Sequence, residues 1–464
     1  MASGSRAYAG SGAADGTDAP TAVPARQLHA LRLIWTDCAG LRRCRVLPLA
    51  APGGALPAIG LTKACNGMGV NGDSLIPASG LTASGEVRLT PDPSTYVPQL
   101  PWYPAHGMAC CDLLERSGAP WSCCPRSALA RCLGRLSERC GLTLRAGFEL
   151  EFVLLRPTAA PPGGLGGSGW EPVDSALYCL TSGFDAQCAV LDAMVSALLE
   201  CGIGVVQYHK EAAPGQFEIA TAPADALLAA DRLVQSKEVI SAVARRHGLA
   251  VTFVPKPMAK EAGSGCHMHL SLWKDGESAM PGERGGADGS PSLSAAASAF
   301  FGGVLSHLPA LLPFMSPSCG TDWGSYARLR PGCWAGAFAC WGWDNREAPL
   351  RATRPGGAET TNFELKSTDG TTNPYIALAA VACAGGIGLE YGAALPPPVD
   401  GAPEGAAPAL PGTLAEALAA LEADRPLRAA VAEGLGPELV RAYLAVRAGE
   451  AEARPSLRDV LLRY

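Results

Sequence analysis

Apolar and polar positions repeat with two different periods along the chain, and the switches between them outline its elements. Residues 30–48 alternate, with β-branched and aromatic side chains on either side of Cys38, Ala39 and Gly40, and predict two strands joined by a turn. Residues 82–101 predict a second short strand pair with proline-rich ends. Helical periodicity sets in over 127–140, and 143–155 returns to a strand. Segments 185–200 and 224–247 again place apolar residues at helical spacing, with Gly202 and Gly248 where C-terminal stops belong. Strands follow at 251–255 and 265–273. Residues 157–169 predict a flexible surface loop, 275–290 a polar glycine-rich loop, and 396–411 a Pro/Ala spacer before a helical C-terminus. The longest apolar run, 375–389, is interrupted by Gly385, Gly386 and Gly388. It falls short of the roughly 18–20 residues of a membrane span and predicts a buried core helix ending at a glycine-rich stop.

This alternation favours an α+β fold, with a β-rich unit over 25–118 ahead of a larger unit over 119–464 and a disordered tail at 1–24. A length of 464 residues calls for two or three cores. With 48% hydrophobic and 17% charged residues, the default class is a soluble globular protein. A net charge of −6 without a basic run excludes a general nucleic-acid binder. Seventeen cysteines, including the adjacent pairs Cys110–Cys111 and Cys123–Cys124, show neither CxxC pairs nor repeated Cys/His spacings. That argues against a zinc cage or a disulfide framework, and for reduced, mostly buried thiols in a cytoplasmic protein. Asp15 and Asp18 make the tail too acidic for a transit peptide.

Acidic and imidazole side chains stand at strand spacing in four segments. Glu149 and Glu151 in Gly147-Phe148-Glu149-Leu150-Glu151-Phe152 share one strand face while the apolar residues point the other way. Alone, the pair is equally compatible with a solvated face; a cation would relieve its repulsion. Glu211 and Glu218 bracket a Pro214-Gly215 turn, itself a weak sign. His267 and His269 lie on one strand face behind the Gly263-Ser264-Gly265 turn, and Glu364 and Lys366 share another face. Five glutamates and a histidine suit a hard or borderline ion such as Mg²⁺ or Mn²⁺. Two such ions can clamp the phosphates of ATP, with Arg328, Arg346 and Arg351 supplying further positive charge. Neither a Walker loop nor a GxGxxG opening a helix is present.

These segments, in order, resemble glutamine synthetase of type I. GFELEF (147–152) and HKEAAPGQFEI (209–219) resemble its two glutamate pairs, and FVPKPMAKEAGSGCHMHLSL (253–272) its phosphate and metal segment. SYARLRPGCWAG (325–336), WGWDNREAPLR (341–351) and NFELKSTDGTTNPYIALAA (362–380) resemble the flap, the arginine segment and the last metal-ligand strand. The resemblance implies a β-grasp domain followed by a catalytic domain with an antiparallel sheet and flanking helices. It implies Glu151, Glu211 and Glu218 around one metal ion and Glu149, His267 and Glu364 around another, with two or three Mg²⁺ or Mn²⁺ ions per site. His269 and Ser271 would meet ATP, Arg346 and Arg351 the transferring phosphoryl group, and Gly263, Arg328 and Lys366 the carboxylate of a glutamate-like acid. The implied product is glutamine, formed from ammonium through γ-glutamyl phosphate, in a homo-oligomer of stacked rings.

The departures gather in the ammonia half. Trp334 stands where the family carries a flap glutamate that helps deprotonate ammonium, which places an indole among the catalytic residues. Asn71 or Asp73 would occupy the place of the ammonium-binding aspartate, and Glu86 that of the aspartate after it. Ala262 replaces a substrate-contacting asparagine, Asn362 an ATP-side arginine, and Lys366 a carboxylate-binding arginine. The combination is similar to the nodulin/FluG-type branch, whose members often carry an amidohydrolase domain for which this chain leaves no room. The alternatives are a γ-glutamyl ligase using another amine, or an impaired oligomeric scaffold that retains the fold.

Overall fold

The structure, a computed structural model, describes residues 29–49, 56–159, 163–282, 292–354 and 360–464. The expected tail at 1–24 lies outside them, as do 160–162 and 283–290 of the two expected loops.

The N-terminal sheet contains β1 (His29–Thr36), β2 (Arg42–Leu49), β3 (Ile59–Thr62), β4 (Glu86–Pro91) and β5 (His106–Leu114), in the order β2-β1-β5-β4-β3. β1 and β2 are the expected antiparallel pair, with Thr36 opposite Arg42, while β1 and β5 run parallel. Gly40 closes the turn at φ +75°, and a Cβ there would stand 2.3 Å from Thr371 O. Only glycine meets both the turn and this approach to the larger unit. The strand pair expected over 82–101 is one strand, β4, whose partners are β3 and β5. Pro91, Pro93, Pro98 and Pro101 withhold the donors a second ladder needs. The chain turns instead through Asp92, whose carboxylate accepts from Ser94 N at 2.9 Å, and Val97 bridges to Met108.

The second sheet is built on β6 (Thr143–Pro157). The other strands are β7 (Trp170–Pro172), β8 (Val205–Lys210), β9 (Gln216–Thr221), β10 (Ala224–Asp225), β11 (Ala250–Thr252), β12 (Cys266–Lys274), β13 (Glu277–Ser278), β14 (Trp341–Trp343), β15 (Leu350–Thr353) and β16 (Asn362–Leu365). Its main path is β14-β15-β16-β12-β6-β9-β8, antiparallel except between β14 and β15. This is the expected α+β arrangement, a small sheet ahead of a larger antiparallel one.

Around the sheets lie α1 (Pro125–Cys140), α2 (Thr181–Asp185), α3 (Cys188–Glu200), α4 (Ala226–Arg246), α5 (Ala295–Ser306), α6 (Leu308–Met315), α7 (Ser325–Arg328), α8 (Pro374–Tyr391), α9 (Leu414–Ala423), α10 (Arg425–Leu435), α11 (Pro437–Ala453) and α12 (Leu457–Val460). The helix expected over 185–200 is broken at Gln187 (φ −118°, ψ 3°), leaving α2 and α3.

α8 corrects the expected glycine stop. The helix runs through Gly385, Gly386 and Gly388 and ends at Gly392, whose φ is +65°. A Cβ on Gly388 would lie 2.0 Å from Ala299 O, and one on Gly385 2.1 Å from the Phe300 ring. These two glycines let α5 approach α8 closely. By length and composition α8 could cross a membrane, yet 67% of it is buried in the protein, as a core helix is. In place of the two or three cores expected from length, one continuous core runs from Leu31 in β1 to Tyr464 across both sheets, beside a small second cluster of Val153, Leu155, Ala250 and Leu461. All seventeen cysteines are free thiols, and only Cys44, Cys179 and Cys333 are exposed.

Candidate active site

Strand register assembles the site. Across β6 and β12, Glu149 pairs with His267; across β6 and β9, Glu151 pairs with Glu218, which in turn pairs with His209 on β8. On the other side, His269 pairs with Glu364 of β16, and Glu364 with Arg351 of β15. Directly paired residues project from the same sheet face, so three neighbouring cross-strand rows bring acids, imidazoles and a guanidinium together. The alternate residues Phe148, Leu150 and Phe152 are buried in the core beneath. The period-two pattern thus supplies both the packing and the charged face.

Two groups of donor atoms each lie within 4.8 Å of one another: Glu149, His269 and Glu364, and His209, Glu211 and Glu218. His267 joins the first, its Nδ1 3.2 Å from Glu149 Oε2 and 3.0 Å from Glu364 Oε1. Glu151 sits between the groups, 3.6 Å from His267 Nε2, and accepts from Gln216 Nε2 at 2.7 Å. Carboxylates and imidazoles this close match the shell of a hard or borderline divalent cation, so the residues fit such an ion.

The electrostatics describe a site short of positive charge on one side. Burial pushes Glu211 up to about 7, helped by Glu151 and Glu218. Burial also raises Glu218, although His209 bonds to it. The Glu218 bond lifts His209 to about 9 against the cost of burial. On the other side burial is outweighed. Bonds from His267 and His269 hold Glu149 far below the ordinary carboxylate range, and Lys366, His267 and Arg351 do the same for Glu364. Arg351 Nε bonds Glu364 directly, and Lys366 Nζ reaches Glu364 Oε1 at 3.0 Å.

Arg328 is 3% exposed. Its Nη2 lies 2.9 Å from His267 Nε2 and donates to Lys366 O at 2.8 Å, while its buried Nη1 bonds none of the described residues. The glycine turn is shaped around this guanidinium. A Cβ on Gly263 would lie 2.7 Å from Arg328 Cγ, and one on Gly265 2.4 Å from His267 Nε2.

His269 Nδ1 lies 2.8 Å from Asn362 Oδ1, and Ser271 Oγ accepts from Trp273 Nε1 at 2.9 Å. Both line a cavity of about 350 Å³ with Glu149, Arg145, Trp273 and Asn362. Arg346 is exposed and bonds no described residue. Its loop is fastened by Asn345, whose Nδ2 donates to Val399 O at 2.8 Å and Gly401 O at 2.9 Å. Trp334 is 57% exposed at φ +52°, in a loop also holding Gly332 and Gly336 at positive φ. A large side chain held in solvent on left-handed backbone is costly and marks a candidate contact.

Asn71 and Asp73 are exposed on the N-terminal unit, where Asp73 pairs with Arg43 at 3.1 Å. Neither they nor Glu86 bond to the carboxylate rows among the described residues, and Ala262 is exposed beside the glycine turn. Sequence reading missed three groups that touch these rows. His209 was readable as the residue two before Glu211 on a strand, and therefore on its face. Gln216, whose Oε1 accepts from Ala213 N at 2.8 Å, is placed by the turn. Tyr178, its ring 6.0 Å from that of His209, comes from a loop with no pattern to signal it.

Residues 122–459 match the family model of the glutamine synthetase catalytic domain. The chain is 36% identical over 447 residues to the γ-glutamylpolyamine synthetase GlnA3 of Streptomyces coelicolor, covering 93% of this chain and 91% of that one. It is 33% identical over 387 residues to the protein fluG of Emericella nidulans, covering 80% of this chain and 41% of that one. Among solved structures, a glutamine synthase homolog superposes with a TM-score of 0.76 at 32% identity, covering 94% of this chain and 97% of the other.

Proposed function

The chain belongs to the glutamine synthetase family, in its FluG-like branch, and is an ATP-dependent carboxylate–amine ligase; we propose that it joins a glutamate-like acid to an organic amine through γ-glutamyl phosphate. A carboxylate is a poor electrophile, and phosphorylation gives it a leaving group that an amine can displace. Mg²⁺ or Mn²⁺ held by Glu149, His267 and Glu364, and by Glu151, Glu211 and Glu218 with His209 beside them, would neutralise phosphate charge. His269 and Ser271 would face ATP from the 350 Å³ cavity. Arg346 and Arg351 would carry positive charge to the transferring phosphoryl group. Arg328, with its unpartnered buried Nη1, would hold the acid's carboxylate with Lys366 and the Gly263 backbone. The reading takes 25–118 as the β-grasp domain and 119–464 as the catalytic domain of a cytoplasmic, ring-stacked homo-oligomer.

Trp334 carries the choice of amine. An indole accepts no proton from ammonium, but its face attracts a cationic or aliphatic amine, and here it is held in solvent rather than packed. The similarity to a γ-glutamylpolyamine synthetase supports the same reading and puts polyamines first among the acceptors to try. The test is ADP release with glutamate and ATP in Mg²⁺ or Mn²⁺, comparing ammonium with alkyl, aromatic and polyamine acceptors. Greater stimulation by an organic amine is expected. A best rate with ammonium would make the product glutamine instead, and no stimulation by any amine would remove glutamate as the acid.

A further inference from the structure

Seventeen free thiols invite the question of which could react with one another. Cys110–Cys111 and Cys123–Cys124 are adjacent in sequence, yet their sulfurs turn elsewhere: Cys110 to Asp231 O at 3.8 Å, Cys111 to Ala109 O at 3.7 Å, Cys124 to Asp112 Oδ1 at 4.0 Å. Cys132 on α1 and Cys383 on α8, 251 positions apart in the chain, have sulfurs 3.9 Å apart in mutual contact. No other two thiols among the described residues are hydrogen-bonded to each other.

The pair lines a cavity of about 500 Å³ between α1, α8 and α10, together with Arg135, Arg139 and Glu433. Gly434 on α10 makes room for both sulfurs: a Cβ there would stand 2.6 Å from Cys383 Sγ and 2.9 Å from Cys132 Sγ. The end of α10 is fixed over them, because Arg131 donates to Gly434 O at 2.9 Å and to Leu435 O at 2.7 Å, and Arg135 to Glu433 O at 2.7 Å. We propose that Cys132 and Cys383 form a redox-active dithiol that a hydroperoxide entering this cavity converts to a disulfide between α1 and α8.

Closing 3.9 Å to a bonded distance of about 2.05 Å requires the two sulfurs to approach by about 2 Å. The Cys132 thiolate attacks one peroxide oxygen; the O–O bond breaks, giving a sulfenic acid and, after protonation, water or an alcohol. The Cys383 thiolate then attacks that sulfur, the S–O bond breaks, and the second oxygen leaves as water. Two thiols and one hydroperoxide thus yield one disulfide, with the two thiol protons carried away on oxygen. Cys132 is the attacking residue. The contact with Cys383 lowers its thiol against the effect of burial, helped by Arg131 and Arg135, while the same contact and burial raise Cys383. The bond would tie α1, which leads into β6 and its glutamates, to α8, which follows the last strand of the site.

The experiment treats the whole protein with hydrogen peroxide, blocks remaining thiols, and maps linked peptides by mass spectrometry. The expected result is a Cys132–Cys383 linked peptide, lighter by two hydrogens and lost on reduction with dithiothreitol. In Cys383→Ser, dimedone should label Cys132 several-fold more than in the unaltered protein, because the sulfenic acid has no partner. Thiol loss without the 132–383 link in the unaltered protein would overturn the proposal. Equal dimedone labelling of Cys132 in both proteins would overturn the assigned order of attack.

Discussion

Glu211 and His209 bind protons more tightly in the folded chain than in the unfolded one, and both shift stability with pH in the same direction. Glu211 rises from 4.5 to about 7, so as pH climbs through that window the unfolded carboxyl ionises first and folding loses stability. His209 rises from 6.5 to about 9, so its contribution is complete below 6.5 and lost as pH passes 9. With chelator present, the thermal midpoint should therefore fall steadily between pH 5 and pH 9, and Glu211→Gln should flatten the lower half of the curve. A midpoint that rises over this range would contradict the assignment. Gln216 makes a second residue-scale case, because its amide bonds Glu151 Oε2, Gly263 O and, at 3.3 Å, Ser264 Oγ. Gln216→Ala should weaken Mn²⁺ activation by about 10–100-fold, as removing a group that orients ligands typically does; a metal titration of activity measures it. The carboxylates were legible in the sequence because a period of two fixes which residues share a face. His209 was equally legible in principle. Tyr178 was not, since its loop reaches the site only through tertiary packing.

At the scale of elements, glycine meant different things in identical local sequence. Gly385 and Gly388 look like helix terminators, but they are contact points between α5 and α8, and Gly386 between them has no atom within 4 Å of a Cβ. Gly388→Ala should cost about 1–3 kcal/mol through forced overpacking. Gly386→Ala should be neutral or stabilising by up to about 1 kcal/mol, since alanine favours the helix. Chemical denaturation of the two variants separates these outcomes, and equal effects would refute the packing role. No single-chain pattern encodes which glycine faces a neighbouring helix, so this part of the fold was unreadable, whereas the β1–β2 hairpin, a local object, was read correctly. The spacer at 396–411 illustrates the same limit. Val399 N donates to Trp341 O, Ala339 N to Pro408 O and Leu410 N to Ala337 O, so this segment straps β14 and the residues just before it, while Asn345 ties the β14–β15 loop to the same segment. Asn345→Ala should free the Arg346 loop and lower kcat by about tenfold or more, with little change in the KM for the amine, if orienting that guanidinium is worth more than about 1.4 kcal/mol in the transition state. A change confined to the amine KM would argue against that role.

For the whole molecule, the two sheets share one core, while Asn71 and Asp73 stay apart from the carboxylate rows of their own chain. In a ring-stacked assembly such residues can serve a neighbouring copy, and light scattering should return a mass several times 47.6 kDa. On the proposed reading, the carboxylate and imidazole rows form the metal and phosphoryl half of the site, and Trp334 belongs to the amine half. The most direct test is therefore the ratio of kcat/KM for a polyamine to that for ammonium, measured in the unaltered protein and in Trp334→Glu. The account predicts a ratio well above one that falls by at least tenfold when the indole becomes a carboxylate. A ratio below one in the unaltered protein, or one unmoved by the substitution, would contradict it.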